Sequence, residues 1–332
     1  MLDIKKNSFV FAGLTLCATA GLAQMPDRAP NILFIMSDDH TAQAISAYGG
    51  ALGAYLPTPN LDRIANEGAR MNNCFVTNSI SVPSRACILT GQYSQKNGIY
   101  TNNYALDRAH PNVAKDLQKA GYQTAIIGKW HLGSEPAGFD YYNVLPGQGR
   151  YYNPLLIKTG DWEKGRNGNP LETEYGGHST DVIANEAISF MQSADPDRPF
   201  FLKCHFKAPH RSWQPAHRFL DLLKDVKIPE PDNLFDNYDG KGEHVHNLLM
   251  SMEHLNLTDL KGEVFPENMT RDEKRSWAYQ RFIKDYLRCV AGIDENVGRI
   301  LKYLDVSRLC RNTNAFLHAG RKFSKQPERA NA

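Results

Sequence analysis

Three short apolar runs constrain the fold of this chain more than any other feature: Asn31-Ile32-Leu33-Phe34-Ile35-Met36, Gln123 to Ile127, and Phe200-Phe201-Leu202-Lys203-Cys204-His205-Phe206. Each is apolar at successive positions rather than alternate ones, so it needs cover on both faces, as a strand in a parallel sheet between helices does. The intervening segments have helical spacing. Thr58-Pro59 starts a helix with Leu61, Ile64 and Ala65 on one face and Gly68 as its stop. A second helix runs from about Asn112 to Ala120 and stops at Gly121, and a third, capped by Ser179 or Thr180, turns Ile183, Ala187, Phe190 and Met191 inward. A long helix from about Tyr279 to Leu304 repeats Phe282, Tyr286, Val290, Ile293, Val297, Ile300, Leu301 and Leu304 at helical spacing, a stripe that belongs to a core. This order predicts an α/β fold, a mostly parallel central sheet sandwiched between helix layers. Open sheets of this kind bind ligands past the carboxyl ends of their strands. Asp38 and Asp39 follow the first run, Lys129 and His131 the second, and Ala208-Pro209-His210 the third.

At 332 residues, 42% hydrophobic and 22% charged, the chain can bury a large core. A formal net charge of +2 gives no reason to expect a nucleic-acid partner. Residues 1–23 read as a secretory signal: Lys5 and Lys6, an apolar stretch from Phe9 to Leu22, and Gly21-Leu22-Ala23 as a cleavage site. The stretch is too short to span a bilayer, no later segment is long enough, and Leu16 before Cys17 argues against lipid attachment. The expected location is therefore secreted or periplasmic. Without Cys17, five cysteines remain (Cys74, Cys87, Cys204, Cys289 and Cys310), an odd number with no C-x-x-C spacing, which argues against a disulfide framework and a thiolate zinc site. Residues 136–177 read as a long ordered loop near the site, and residues 226–272 as a polar insertion or lid in which Glu243-His244-Val245-His246 is a solvated loop.

Ser79-Ile80-Ser81-Val82-Pro83-Ser84-Arg85 concentrates chemistry in a few residues. Pro83 fits the first turn of a helix, which places Ser81 just before that turn at the positive end of the helix dipole. Arg85 can swing its guanidinium back as a bidentate partner for a sulfate or phosphate. The segment through Leu89-Thr90-Gly91 resembles the signature of the formylglycine-dependent sulfatases of the alkaline phosphatase superfamily, with Val82 where that family has a small residue. A second signature, Gly121-Tyr122-Gln123-Thr124-Ala125-Ile126-Ile127-Gly128-Lys129-Trp130-His131, matches throughout.

The resemblance implies an alkaline phosphatase-like three-layer sandwich. It also implies that Ser81 is oxidised to formylglycine by a maturase, in the serine-type manner of bacteria. Asp38, Asp39 and the modified Ser81 would hold calcium or magnesium, a placement that two hard carboxylates on successive residues also suit. Arg85 and Lys129 would hold the sulfate, and His131 would orient the formylglycine hydroxyl. His210 would contact the ester and protonate the leaving oxygen, in preference to His205 or His217. The hydrated aldehyde attacks sulfur and later expels sulfate, regenerating itself. Gly138-Phe139-Asp140 through Gly147-Gln148-Gly149 looks like sulfatases acting on glycosaminoglycan or mucin sugars, N-acetylglucosamine-6-sulfatases among them, so the substrate is a sulfated carbohydrate. The alternatives are a phosphoesterase or phosphonate hydrolase using unmodified Ser81, and an inactive carbohydrate-binding remnant.

The resemblance covers about Asn31 to Leu304. The family's next strand, ending in Ser/Thr-Asp-His/Asn-Gly and completing the metal shell, is not readable, and residues 307–332 carry six Lys or Arg against one Glu. Sequence alone thus predicts a catalytic domain at 24–306, incomplete at its C-terminal end through a frame shift or truncation after Asp305. It predicts a non-homologous, disordered basic tail at 307–332, an exposed sheet edge, weak metal binding and little or no turnover.

Overall fold

The computed structural model describes residues 28–246 and 251–319. In chain order its elements are β1 (Asn31–Ser37), α1 (Pro59–Glu67), α2 (Ser81–Thr90), α3 (Ser94–Asn97), α4 (Val113–Lys119), β2 (Gln123–Lys129), β3 (Tyr141–Leu145), β4 (Leu155–Lys158), β5 (Thr173–Glu174), α5 (Ser179–Ser193), β6 (Phe200–His205), α6 (Glu243–His246), α7 (Arg271–Val306) and β7 (Thr313–Ala319). The strands form one sheet in the order β5-β4-β3-β2-β6-β1-β7. β3, β2, β6, β1 and β7 are parallel, and β4 and β5 are antiparallel additions at one edge.

The unbroken apolar runs are explained by the two layers they separate. Leu33, Ile35, Ala125, Ile127, Leu202 and Cys204 pack with the inward faces of α5 and α7. Ile126 and Phe201, from the opposite face of the same strands, pack with Val82, Ala86 and Leu89 of α2 and Ala114 of α4. Asp294, about two thirds of the way along α7, accepts from the backbone N–H groups of Asn60 (3.0 Å) and Leu61 (2.9 Å), supplying acceptors to the orphan donors at the start of α1.

Four expectations change. Residues 136–177 contain β3, β4 and β5; their short length and interspersed Gly, Asn and Pro hid any strand period. The long helix begins eight residues before Tyr279, at Arg271, because Thr270 and Glu273 form a reciprocal capping box ahead of two charged turns. His178, not Ser179 or Thr180, supplies the side-chain cap of α5.

The largest correction lies after α7. Residues 313–319 are not part of a structureless tail: β7 pairs with β1 in parallel register from Asn31↔Thr313 to Ser37↔Ala319, so β1 is not the exposed edge. Thr-Asn-Ala-Phe-Leu-His-Ala gave little strand signal because an edge strand needs only one apolar face, and here Ala315, Leu317 and Ala319 supply it while Phe316 remains 52% exposed. The expected signal segment and residues 320–332 of the expected tail lie outside the described residues.

Candidate functional site

The carboxyl ends of β1, β2 and β6 meet the first turn of α2. That helix starts at Ser81 itself, with Ile80 as its cap, so the serine occupies the first helical position rather than the one before it and Pro83 sits two residues further in. The Val82 N–H donates to Asn102 Oδ1 at 3.0 Å. Asp38, Asp39, Ser81 and Arg85 line one cleft, and the remaining expected residues close around it. Ser81 Oγ and His131 Nδ1 share a hydrogen bond of 2.9 Å. Lys129, wholly buried at the last position of β2, places its ammonium on the Asp38 carboxylate. Arg85 NH2 lies 3.3 Å from that carboxylate, and Arg85 NH1 donates to the Lys129 carbonyl at 2.6 Å. His210 Nε2 lies 3.7 Å from Asp39 Oδ2. Lys129 and His131 reach one site although His131 lies past the end of β2, in the left-handed region at φ 55°.

His205 is buried, with Nδ1 3.2 Å from the Lys129 carbonyl and 3.4 Å from Arg85 NH1; the His217 ring packs tilted against Tyr152, with centroids 4.9 Å apart. Of the three competing histidines, His210 alone lies in salt-bridge range of a cleft carboxylate.

Two residues that the sequence did not single out for the site belong to it. Gln148 accepts from Lys129 Nζ through its side chain at 2.6 Å, and its own carbonyl accepts from Lys207 Nζ at 3.1 Å. Lys207 is buried, with its ammonium 4.9 Å from the Tyr151 ring centroid, and Tyr151 donates to the His210 carbonyl. The available signal was a lysine just past an otherwise buried strand, where an unneeded charge would not be kept.

Burial alone would raise the Asp38 pKa, but Arg85 and Lys129, with His210 behind them, outweigh it and hold the carboxyl well below its usual range. Burial pushes Lys129 down to about 8 even though Asp38 opposes the shift. Burial, reinforced by Lys129, pushes His131 down to about 4 and His210 to about 3. Both imidazoles are thus neutral at neutral pH. His210 Nδ1 lies 2.7 Å from the Arg211 carbonyl, an acceptor only, so its proton sits on Nδ1 and its bare Nε2 faces the cleft. Three buried cations, Arg85, Lys129 and Lys207, converge on two carboxylates. That imbalance favours a bound anion.

The model of the sulfatase family matches residues 30–317. The chain belongs to the sulfatase family. It is 41% identical over 89% of its length to N-acetylglucosamine-6-O-sulfatase of Bacteroides thetaiotaomicron, of which it covers 58%. A protein solved in complex with its substrate D-glucosamine-2-N,6-O-disulfate superposes with a TM-score of 0.81 at 38% identity, over 88% of this chain and 65% of that one. Phosphonate monoester hydrolase of Agrobacterium radiobacter shares the fold at 18% identity and a TM-score of 0.61, over 88% of this chain and 62% of that one. The alkaline phosphatase-like sandwich expected from the motifs is the observed fold. This sulfatase-family chain therefore spans under two thirds of the length of these relatives, and the match at its C-terminal end includes most of β7.

Asp38 and Asp39 suit a hard divalent cation by donor type. By number they fall short: among the described residues no group of three or more His, Cys, Asp or Glu side chains is placed to hold a metal, and β7 brings no carboxylate to the cleft.

Proposed function

We propose that this site is built to hydrolyse a sulfate ester on a glucosamine-type carbohydrate. The observation that carries the reading is the Ser81–His131 hydrogen bond set beside Arg85 and Lys129, whose charges exceed what Asp38 neutralises. A hydroxyl-bearing side chain is thereby held where a tetrahedral dianion would be bound. The names of the relatives supply the sugar: one acts on an N-acetylglucosamine 6-sulfate group, and the other binds a 6-O-sulfated glucosamine.

Formylglycine at Ser81, installed by a maturase, would supply a self-regenerating nucleophile, and a divalent cation at Asp38 and Asp39, calcium by preference, would add positive charge beside the sulfate. Arg85 and Lys129 bind and orient the sulfate oxygens. His131 holds the group at position 81 in one rotamer. Nε2 of His210 is an acceptor at rest, and it donates to a leaving oxygen only after taking up a proton, which an anion in the cleft favours. Asp38 and Asp39 would supply two of the roughly six to eight oxygens that such an ion takes. Lys5, Lys6 and the apolar stretch behind them would direct export; among the described residues no helix is long and apolar enough to cross a membrane.

The test combines mass and turnover. After coexpression with a serine-type maturase, the tryptic peptide containing Ser81 is expected to be lighter by two hydrogens. The chain is then expected to release sulfate slowly from N-acetylglucosamine 6-sulfate, in proportion to added calcium, and Ser81→Ala to reduce release to background. Phosphate-ester cleavage with Ser81 unmodified would favour the phosphoesterase reading. Sulfated-glycan binding without turnover, unchanged in Ser81→Ala, would favour a binding remnant.

A further inference from the structure

Away from the cleft, at the other end of α2, a second basic cluster surrounds the Phe34 ring. Lys203, on β6, is 3% exposed and holds its ammonium 5.0 Å from that ring centroid. The His318 ring stacks on Phe34 at 6.2 Å, and His205 approaches its edge at 6.0 Å. Among the described residues none of the three has an acidic partner. Arg85 is the one charged side chain that perturbs Lys203, and it is a cation; burial first, then Arg85, pushes the amine down to about 7. Nε2 of His205 and Nε2 of His318 have no hydrogen-bond partner among the described residues.

Lys203, Phe34 and His318 border open space. Lys203 and Phe34 line a cavity under the last turn of α2, and His318 lines an adjoining one; Ile88, Gly91 and Gln92 form a wall common to both. Asp116, the one carboxylate on the rim, is 72% exposed and pairs with Lys119 at 3.9 Å, so it does not serve the buried ammonium. Ser81 and Asp38 line a separate cleft at the first turn of the helix.

We propose that this cavity is a second anion site, and that it takes a carboxylate seated on Lys203 with His318 as its hydrogen-bond partner. Beside the polar Thr90, Gln92 and Asn112, the cavity has apolar walls, Phe34, Ile88, Leu89 and Phe201, which suit the carbon chain of an organic carboxylate better than a fully hydrated inorganic dianion. An unpaired buried ammonium is costly, whereas one matched to a carboxylate is charge-assisted and short. The carboxylate has two possible sources: a small molecule, or a side chain of this polypeptide beyond Ala319, where Glu328 is the one acidic residue.

The full-length chain is heated in sodium acetate and in sodium chloride of equal ionic strength, at mildly acidic pH where Lys203 is charged. At ten times its dissociation constant, acetate is expected to raise Tm by about 2–4 °C more than chloride. An increment in the unmodified chain assigns an external carboxylate. An increment that emerges only in Glu328→Gln assigns the chain's own. In either background Lys203→Met loses it, while Lys164→Met, which changes a surface lysine, keeps it. An increment absent from both backgrounds, or retained in Lys203→Met, overturns the proposal. Should Lys203→Met fail to fold, the histidine ring-proton signals of the unmodified chain and of Glu328→Gln decide: acetate shifts those of His318 in the background whose site is open, and a His318 ring unmoved in both overturns the assignment.

Discussion

Asp38→Asn is expected to lower the stability of the chain by about 3–5 kcal/mol and to abolish whatever stabilisation millimolar calcium confers. The cost follows from what the carboxylate balances. Lys129 is fully buried and Arg85 is 5% exposed, and both lean on Asp38, itself 7% exposed. Removing one partner of a buried ion pair leaves an uncompensated charge, which costs far more than the pair contributes net. Urea denaturation at neutral pH measures the loss; a change below about 1 kcal/mol would mean that water or Asp39 replaces the lost charge. The pH dependence supplies a second check. Asp38 titrates lower folded than unfolded, so its stabilising contribution is present above the ordinary carboxylate range and is lost as pH falls through its depressed value. Lys129 is also depressed, to about 8 from 10.5; the unfolded chain binds more protons between those values, and stability gains from this group as pH rises through that window. In Asp38→Asn the acid-side loss attributable to residue 38 disappears. Lys129, without its anion, begins its rise at a lower pH, so the variant recovers part of its deficit on going alkaline.

How much of this site could be read from the sequence depends on how local each contribution is. Ser81 and Arg85 lie one helical turn apart, and Asp38-Asp39 and Lys129-x-His131 stand where strands end, so spacing and strand pattern place them without tertiary information. Gln148 is different: it reaches Lys129 because β3 lies beside β2 and the following loop folds back over the strand end, a contact set by sheet order. Lys207 directly follows β6, and only the packing of Tyr151 shows it buried. The same distinction explains the fold. β1, β2 and β6 are covered on both faces and declare themselves by unbroken apolar runs. β7 is covered on one face and draws its strand character from the edge of β1, so the basic composition around it outweighed its weak alternation. The start of α7 was missed for the converse reason. A capping box fixes it, but the two turns behind the box are charged, and the reading followed the apolar stripe instead of the cap.

Gly128→Ala is expected to be the most damaging single substitution in the second signature, costing more than about 4 kcal/mol and leaving little folded protein. Two independent penalties coincide there. Gly128 has φ +92°, a conformation that side-chain-bearing residues rarely adopt. A methyl group built on it would stand 2.0 Å from the His205 carbonyl oxygen and 3.0 Å from Ile183 Cδ1. The first of these is backbone of the neighbouring strand, registered opposite Gly128, so no rotamer change relieves it. β2 and β6 would have to separate at the point where Lys129 leaves the sheet for Asp38 and where its carbonyl receives Arg85. The displacement therefore reaches the anion-binding side chains as well as the core. Gly147→Ala separates the two penalties. It also has positive φ, +52°, but nothing lies within 4 Å of the added carbon, and it is expected to cost only about 1 kcal/mol. Denaturation midpoints and soluble yield of the two variants, measured side by side, test the argument. If Gly128→Ala were no worse than Gly147→Ala, the strands would be free to part there, and the glycine could not be what seats Lys129 against Asp38.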